Sequence, residues 1–346
     1  MEINELLKIT REQEASDLHL NVGVPPLLRI NGKLTRLDFP ELTPEETHKM
    51  IYGILNEKQR NDFERYGELD LSYEIANVAR FRINVFKHRR GEGGAFRLIP
   101  EKIKTISELG LPSILANFCH QDKGFVLITG PTGSGKSTTL ATLIDIINKN
   151  RYDNIITIED PIEFIHYHKN CLISQREIGS HTQSFASALR GALREDPDVI
   201  LVGEMRDLET ISMALTAAET GHLVFSTLHT ISAAETIERI IDVFPPHQQN
   251  QVRMQLAGSL LGVVAQTLLP TLDGKGRIPA LEVMIANPAI KNLIRESKAY
   301  QIQSIIQISR KDGMQSLDQS LKDLLMEGKI SREEALRKAI DKKYFE

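Results

Sequence analysis

The sequence predicts an α/β chain with an N-terminal α+β domain over residues 1–100, a linker over 101–112, a parallel-sheet core over 113–285 and a helical C-terminal region over 286–346. Three observations predict it. In Arg80-Phe81-Arg82-Ile83-Asn84-Val85-Phe86 apolar and polar residues alternate, as in a sheet with one face exposed. Pro100, Gly110 and Pro112 then punctuate the chain. Beyond them, short apolar runs near 125–129, 154–158, 198–202 and 222–227 lie between helical stretches, the pattern of a parallel sheet with helices on its faces.

In chain order, residues 2–14 suit a short helix, and Asp17–Val22 and Leu27–Ile30 suit strands. Asn31-Gly32 is a two-residue hairpin signal, with a strand after it to about Asp38. Thr43-Pro44-Glu45-Glu46 starts a helix: Thr43 caps, Pro44 takes the first helical position and Glu46 completes a capping box. Strands are expected near 69–75, 80–86 and 95–99. Past the parallel core, helices are expected over 288–296, 300–309, 315–327 and 331–340. There is no internal repeat and no low-complexity tract.

Composition narrows the function classes. Lys and Arg number 42 and Asp and Glu 46, a net charge of −4, and the pI is near 6.2. Such a balance gives no global attraction to nucleic acid, so no direct nucleic-acid binding is expected. The densest basic run, Lys87-His88-Arg89-Arg90, reads as a solvated hairpin tip. The two cysteines, Cys119 and Cys171, form no CxxC pair, which argues against structural zinc and suits a reducing cytosol. The acidic start Met1-Glu2-Ile3-Asn4-Glu5 lacks signal-peptide character, and no run of 18 apolar residues occurs, so no transmembrane segment is expected. The expected location is cytoplasmic, with docking on a membrane complex still open.

Gly130-Pro131-Thr132-Gly133-Ser134-Gly135-Lys136-Ser137 fits G-x-x-x-x-G-K-[ST] in full. It follows the apolar run Phe125–Thr129 and precedes a helical stretch starting at Thr138, the context this phosphate-binding loop requires. The glycines let backbone N–H groups face phosphate oxygens, and the helix start adds its positive dipole end. Lys136 is suited to the β- and γ-phosphates of ATP and the Ser137 hydroxyl to Mg²⁺.

Such a site also needs a carboxylate near the metal and a group that activates water. Asp198-Val199-Ile200-Leu201-Val202-Gly203-Glu204 is an apolar strand ending in a carboxylate. Glu204 lies at the carboxyl end, where ligands of parallel sheets gather, and is the candidate for Mg²⁺; Asp198, at the other end, reads as structural. Ile155-Ile156-Thr157-Ile158 leads into Glu159, Asp160 and Glu163. Three carboxylates this close repel unless a metal or proton transfer uses them, although a solvated acidic loop remains an alternative. Glu159 and Asp160 are candidates for the nucleotide site and Glu163 for the general base. His222 and His229 flank the strand 223–228. Taken alone each reads more readily as a structural residue than a functional one, but His229 at the carboxyl end sits where a γ-phosphate sensor belongs.

These elements together resemble the secretion-ATPase superfamily, in which a PAS-like N-terminal domain precedes a RecA-like ATPase domain. Its members carry a Walker A motif, an Asp box, a Walker B motif and a His box, matched here by residues 130–137, 155–163, 198–207 and 222–230. Ala15-Ser16-Asp17-Leu18-His19-Leu20 extends the resemblance toward the start. Within the superfamily, the pilus-retraction subgroup carries the C-terminal motif AIRNLIRE. Here it reads Ala289-Ile290-Lys291-Asn292-Leu293-Ile294-Arg295-Glu296, with Lys in place of one Arg, which loses that side chain's planar fork. The four-cysteine module of extension-type relatives is absent from the sequence.

The resemblance implies a homo-hexameric, ATP-hydrolysing motor for type IV pilus retraction, binding ATP where two domains meet and acting on an inner-membrane platform protein. It places the motor peripherally at the inner membrane. It also implies that Arg80, Arg82 and Arg97, on the strands before the ATPase domain, reach phosphates, together with Thr138 and His222 on the nucleotide side. A DNA-uptake or secretion ATPase of the same superfamily, an accessory retraction paralogue and a non-hydrolysing scaffold stand as alternatives.

Overall fold

The structure, a computed structural model, describes the chain apart from Met1, Asn31, Asn77, Glu101, Lys275 and Glu346. It divides into two compact units, 1–102 and 103–346.

The first unit is α+β. Its strands are β1 Asp17–Leu20, β2 Leu27–Ile30, β3 Lys33–Arg36, β4 Glu68–Ile75, β5 Ala79–His88 and β6 Gly91–Leu98. They form one antiparallel sheet in the order β3-β2-β1-β6-β5-β4. The alternation in β5 decides which face is buried: Phe81, Ile83 and Val85 are fully buried, while Arg80 and Arg82 lie on the opposite face. Helices Ile3–Glu12, Pro44–Ile54 and Glu57–Tyr66 contribute Leu6, Leu7, Met50, Ile51 and Phe63 to that core. The start expected at Thr43 is present as a reciprocal capping box with Glu46. Of the Asn31-Gly32 turn, Asn31 lies outside the described residues, while Gly32 takes φ 81° and Ile30 pairs with Lys33. Lys87-His88-Arg89-Arg90 spans the end of β5 and the turn into β6.

The second unit is α/β. Its strands are β7 Gly124–Thr129, β8 Asn154–Glu159, β9 Leu172–Glu177, β10 Val199–Val202, β11 Leu223–Leu228, β12 Leu260–Pro270 and β13 Arg277–Ile285. The order is β13-β12-β7-β11-β10-β8-β9. Every pairing is parallel except β12 with β13. Every residue of β7 and β11 is buried, as expected of central strands covered on both faces. Helix Lys136–Asn150 covers one face through Leu140, Leu143, Ile144 and Ile147. Helices Phe185–Ala192, Leu208–Glu219 and Ala233–Asp242 cover the other through Leu189, Leu215, Ile237 and Ile240. Strands β9, β12 and β13 add to the four expected from sequence.

Residues 103–112 belong to this second unit, where Ile106, Leu109 and Leu111 pack on the core. The C-terminal helices do too. Pro288–Arg295 and Ile302–Ile308 bury Ile290, Ile294, Ile302 and Ile306. Leu317–Met326 packs with β12 and β13 through Leu321, Leu269 and Ala280.

Candidate nucleotide site

The loop Gly130–Gly135 joins the carboxyl end of β7 to helix Lys136–Asn150. Its shape depends on glycine. Gly130 has φ 140°, and a Cβ there would stand 2.2 Å from the Gln266 carbonyl oxygen. Gly135, the N-cap of the helix, has φ 89° and no capping side chain, and no acidic residue occupies the first turn. The helix therefore presents its first-turn N–H groups and dipole with no anionic side chain to answer them. The Ser134 hydroxyl is buried and, among the described residues, unpartnered. Lys136 Nζ donates to the carbonyls of Gly130 at 2.8 Å and Pro131 at 3.1 Å, which holds it over the loop. Burial lowers the Lys136 pKa, opposed by the negative charges of Glu163 and Glu204. A glycine-bounded cradle, an uncapped helix start and a desolvated lysine are the donor set of a polyphosphate site.

Strand order brings the other elements to the same edge. Gly130 N–H donates to the Leu228 carbonyl at 3.2 Å, setting the end of β11 and the adjoining His229 beside the loop. Gly203 N–H donates to the Ile158 carbonyl at 2.8 Å, joining the ends of β10 and β8. Glu204 follows directly. Its Oε1 lies 2.9 Å from an Arg206 guanidinium nitrogen and its Oε2 lies 3.5 Å from His229 Nε2. Glu159 accepts from the Thr157 hydroxyl at 2.6 Å and Gln175 Nε2 at 3.2 Å, and burial raises its pKa. Glu163 and Asp160 are exposed in the loop that follows. Among the described residues no cluster of three His, Cys, Asp or Glu side chains could hold a metal alone.

Other predicted residues lie elsewhere. His222 sits at the amino end of β11, with Nδ1 2.9 Å from the Ala217 carbonyl in the last turn of helix Leu208–Glu219. The strand's length, about 17 Å at its usual rise, keeps it from the phosphate loop of its own chain. Asp198, at the amino end of β10, accepts from Asn154 N–H at 2.8 Å. In the first unit, Arg97 Nε donates to the buried Asp17 carboxylate at 2.9 Å. Arg80 donates to the Ser72 hydroxyl at 2.9 Å, and Arg82 is exposed opposite Arg97.

One residue absent from the sequence reading supports the loop directly. Gln266 of β12 is buried, donates through Nε2 to the Ser134 carbonyl at 2.6 Å, and accepts from the Thr139 hydroxyl at 2.7 Å. A lone glutamine in the apolar run Leu260–Leu269 was the available signal.

A family model described as type II/IV secretion system protein matches residues 3–275. The chain belongs to the type II/IV secretion system protein family. Within that family it is 54% identical over 339 residues to the type IV pilus retraction ATPase PilT of Pseudomonas aeruginosa, covering 98% of each chain. It is 52% identical over 314 residues to a twitching motility protein of Neisseria gonorrhoeae, covering 91% of this chain and 84% of that one. A crystal structure of the pilus retraction motor PilT with bound ADP superposes with a TM-score of 0.93 at 50% identity, over 99% and 98% of the two chains. The second unit is accordingly a RecA-like ATPase domain of this family, preceded by an N-terminal α+β domain. Among the described residues no helix is long and apolar enough to cross a membrane.

Proposed function

We propose that this protein is an ATP-hydrolysing motor subunit that works as a homo-hexamer to power type IV pilus retraction, and hence twitching motility. The observation that carries the reading is a complete phosphate loop, with Lys136 held over it, at the strand ends where Glu204 and His229 also meet. The full-length likeness to PilT supplies the pilus context.

Residues divide the work by position. Backbone N–H groups of 130–137 and the following helix turn at Thr138 hold phosphates, with Lys136 on the β- and γ-groups. Ser137 and Glu204 would hold Mg²⁺, which when bound would neutralise phosphate charge. Glu163, exposed at the loop tip, takes the proton of the attacking water. Glu159 and Asp160 shape that loop. His229, next to Glu204, is placed to report the γ-phosphate. Of the three arginines, Arg82 is the best suited to phosphate, because Arg97 is committed to Asp17 and Arg80 to Ser72. His222 contributes structurally within its own chain. Closing around ATP and relaxing after hydrolysis would drive the motion, passed to an inner-membrane platform protein from the membrane's cytoplasmic side.

The test is a count of surface pili in the source organism carrying Glu163→Gln. Excess pili that do not retract are expected. Loss of pili would indicate an extension motor. Normal pili with a defect in DNA uptake or secretion would assign the ATPase to another machine.

A further inference from the structure

The loop carrying Glu163 has little secondary structure of its own, yet three side-chain carboxyl and amide groups hold it. Glu177, at the carboxyl end of β9, is 3% exposed. Its Oε2 accepts from the Ile162 N–H at 3.1 Å, one residue before Glu163. Its Oε1 accepts from the Ser180 hydroxyl at 3.1 Å, which fixes the carboxylate plane. Gln175, two residues earlier on β9, bonds the same loop twice. Its Nε2 donates to the Phe164 carbonyl at 2.9 Å, one residue after Glu163, and its Oε1 accepts from the His166 N–H at 2.8 Å. The same Nε2 lies 3.2 Å from Glu159 Oε1, whose Oε2 accepts from the Glu163 N–H at 3.4 Å.

Residues Ile162, Glu163 and Phe164 are thus pinned on both sides by β9, directly or through Glu159. A buried carboxylate is costly unless its lone pairs are used, and Glu177 spends both oxygens on the turn at Ser180 and the Glu163 loop. An apolar residue at 177 would pack an edge strand as well, so packing alone does not call for a charge there. What the side chain supplies is a fixed acceptor for a peptide N–H beside the general base. A general base must stand within hydrogen-bond reach of its water, and a displacement of about 1 Å can cost about 10²-fold in rate.

We propose that Glu177 and Gln175 of β9 are positioning residues that set the Glu163 carboxylate for catalysis without touching the nucleotide. The proposal rests on Glu163 being the general base.

The test is ATP turnover by the full-length assembled protein carrying Glu177→Ala, Gln175→Met, Glu163→Gln and each pair with Glu163→Gln. Binding of a fluorescent ADP analogue to each variant shows that its phosphate loop is intact. For Glu177→Ala and Gln175→Met, kcat is expected to fall about 10- to 100-fold with KM for ATP within about twofold of wild type. Neither is expected to lower the residual rate of Glu163→Gln further, because the group they position is already gone. Glu177→Gln, which keeps an acceptor for Ile162, should retain most of kcat. If Glu177→Ala fails to bind the analogue, Gln175→Met decides. Unchanged kcat in Gln175→Met, or losses that multiply with Glu163→Gln, would overturn the positioning role. Full turnover by Glu163→Gln itself would instead overturn the assignment of the base.

Discussion

Replacing Gly130 with Ala separates two reasons for a glycine in the phosphate loop. The new Cβ would lie 2.2 Å from the Gln266 carbonyl oxygen and 2.6 Å from Ser134 Oγ. The serine could rotate; the carbonyl cannot retreat, because β12 is hydrogen-bonded to β7 on one side and β13 on the other. Overpacking against such a partner costs about 1–3 kcal/mol. Holding alanine at φ 140° adds about 1–3 kcal/mol. The total of about 2–6 kcal/mol is a large share of a domain stability of about 5–15 kcal/mol. Gly133 provides the contrast. It has φ 77° and nothing within 4 Å of the place a methyl group would take, so Gly133→Ala should cost only the backbone component, about 1–2 kcal/mol. Urea unfolding of both variants, with ADP titration alongside, measures the difference. Gly130→Ala should lose the most stability and bind ADP least. Equal losses, or the reverse order, would refute the claim that close approach of β12 rather than backbone conformation dictates Gly130.

The remaining expectations concern charge. Lys136→Ala should abolish ATP turnover in a phosphate-release assay, and normal turnover would contradict the site. Glu282 is buried in β13, where it accepts from the Ala233 N–H at 2.8 Å, and burial raises its pKa above the ordinary 4.5 despite that bond. The stability tied to its neutral form is therefore complete below pH 4.5 and lost as pH rises through the higher folded value. Glu282→Gln should flatten this decline, and parallel stability–pH curves for the two proteins would count against it. For Asp17, burial is outweighed by the Ser16 hydrogen bond and Arg97, so its pKa lies below the ordinary 3.8. Its contribution should persist above pH 3.8 and disappear as pH falls below that value, and Arg97→Ala should move the loss upward in an acid-unfolding titration.

What was legible in the sequence depended on whether the signal was local. The capping box at Thr43 and Glu46 needs only four adjacent residues, and the structure contains both reciprocal bonds. The phosphate loop likewise combines turn and helix start within eight residues, and β7, β8, β10 and β11 stand out as apolar runs flanked by breakers. β12 does not. It continues from helix Pro246–Ser259 with Leu260-Leu261-Gly262-Val263-Val264-Ala265, a run that suits a helix or a buried strand equally until its partners are known. Only pairing with β7 and β13 decides it, and pairing is a long-range fact.

β9 was hidden for a different reason, one that bears on the site. Leu172-Ile173-Ser174-Gln175-Arg176-Glu177 lacks the apolar content of a strand, and it pairs with β8 alone at the sheet edge. Edge strands tolerate polar sequences because one side faces solvent. Here, however, Glu177 faces inward and is buried, so polarity at this edge is more than tolerance. A residue type chosen against burial, kept where both oxygens are satisfied by a turn and by the Glu163 loop, points to precision at that loop rather than to sheet stability. The sequence displays the groups that touch phosphate because their spacing along the chain is fixed by chemistry. The groups that aim them, Gln175, Glu177 and Gln266, come from strands adjacent only in space, and their polarity reads as noise until the sheet order is known.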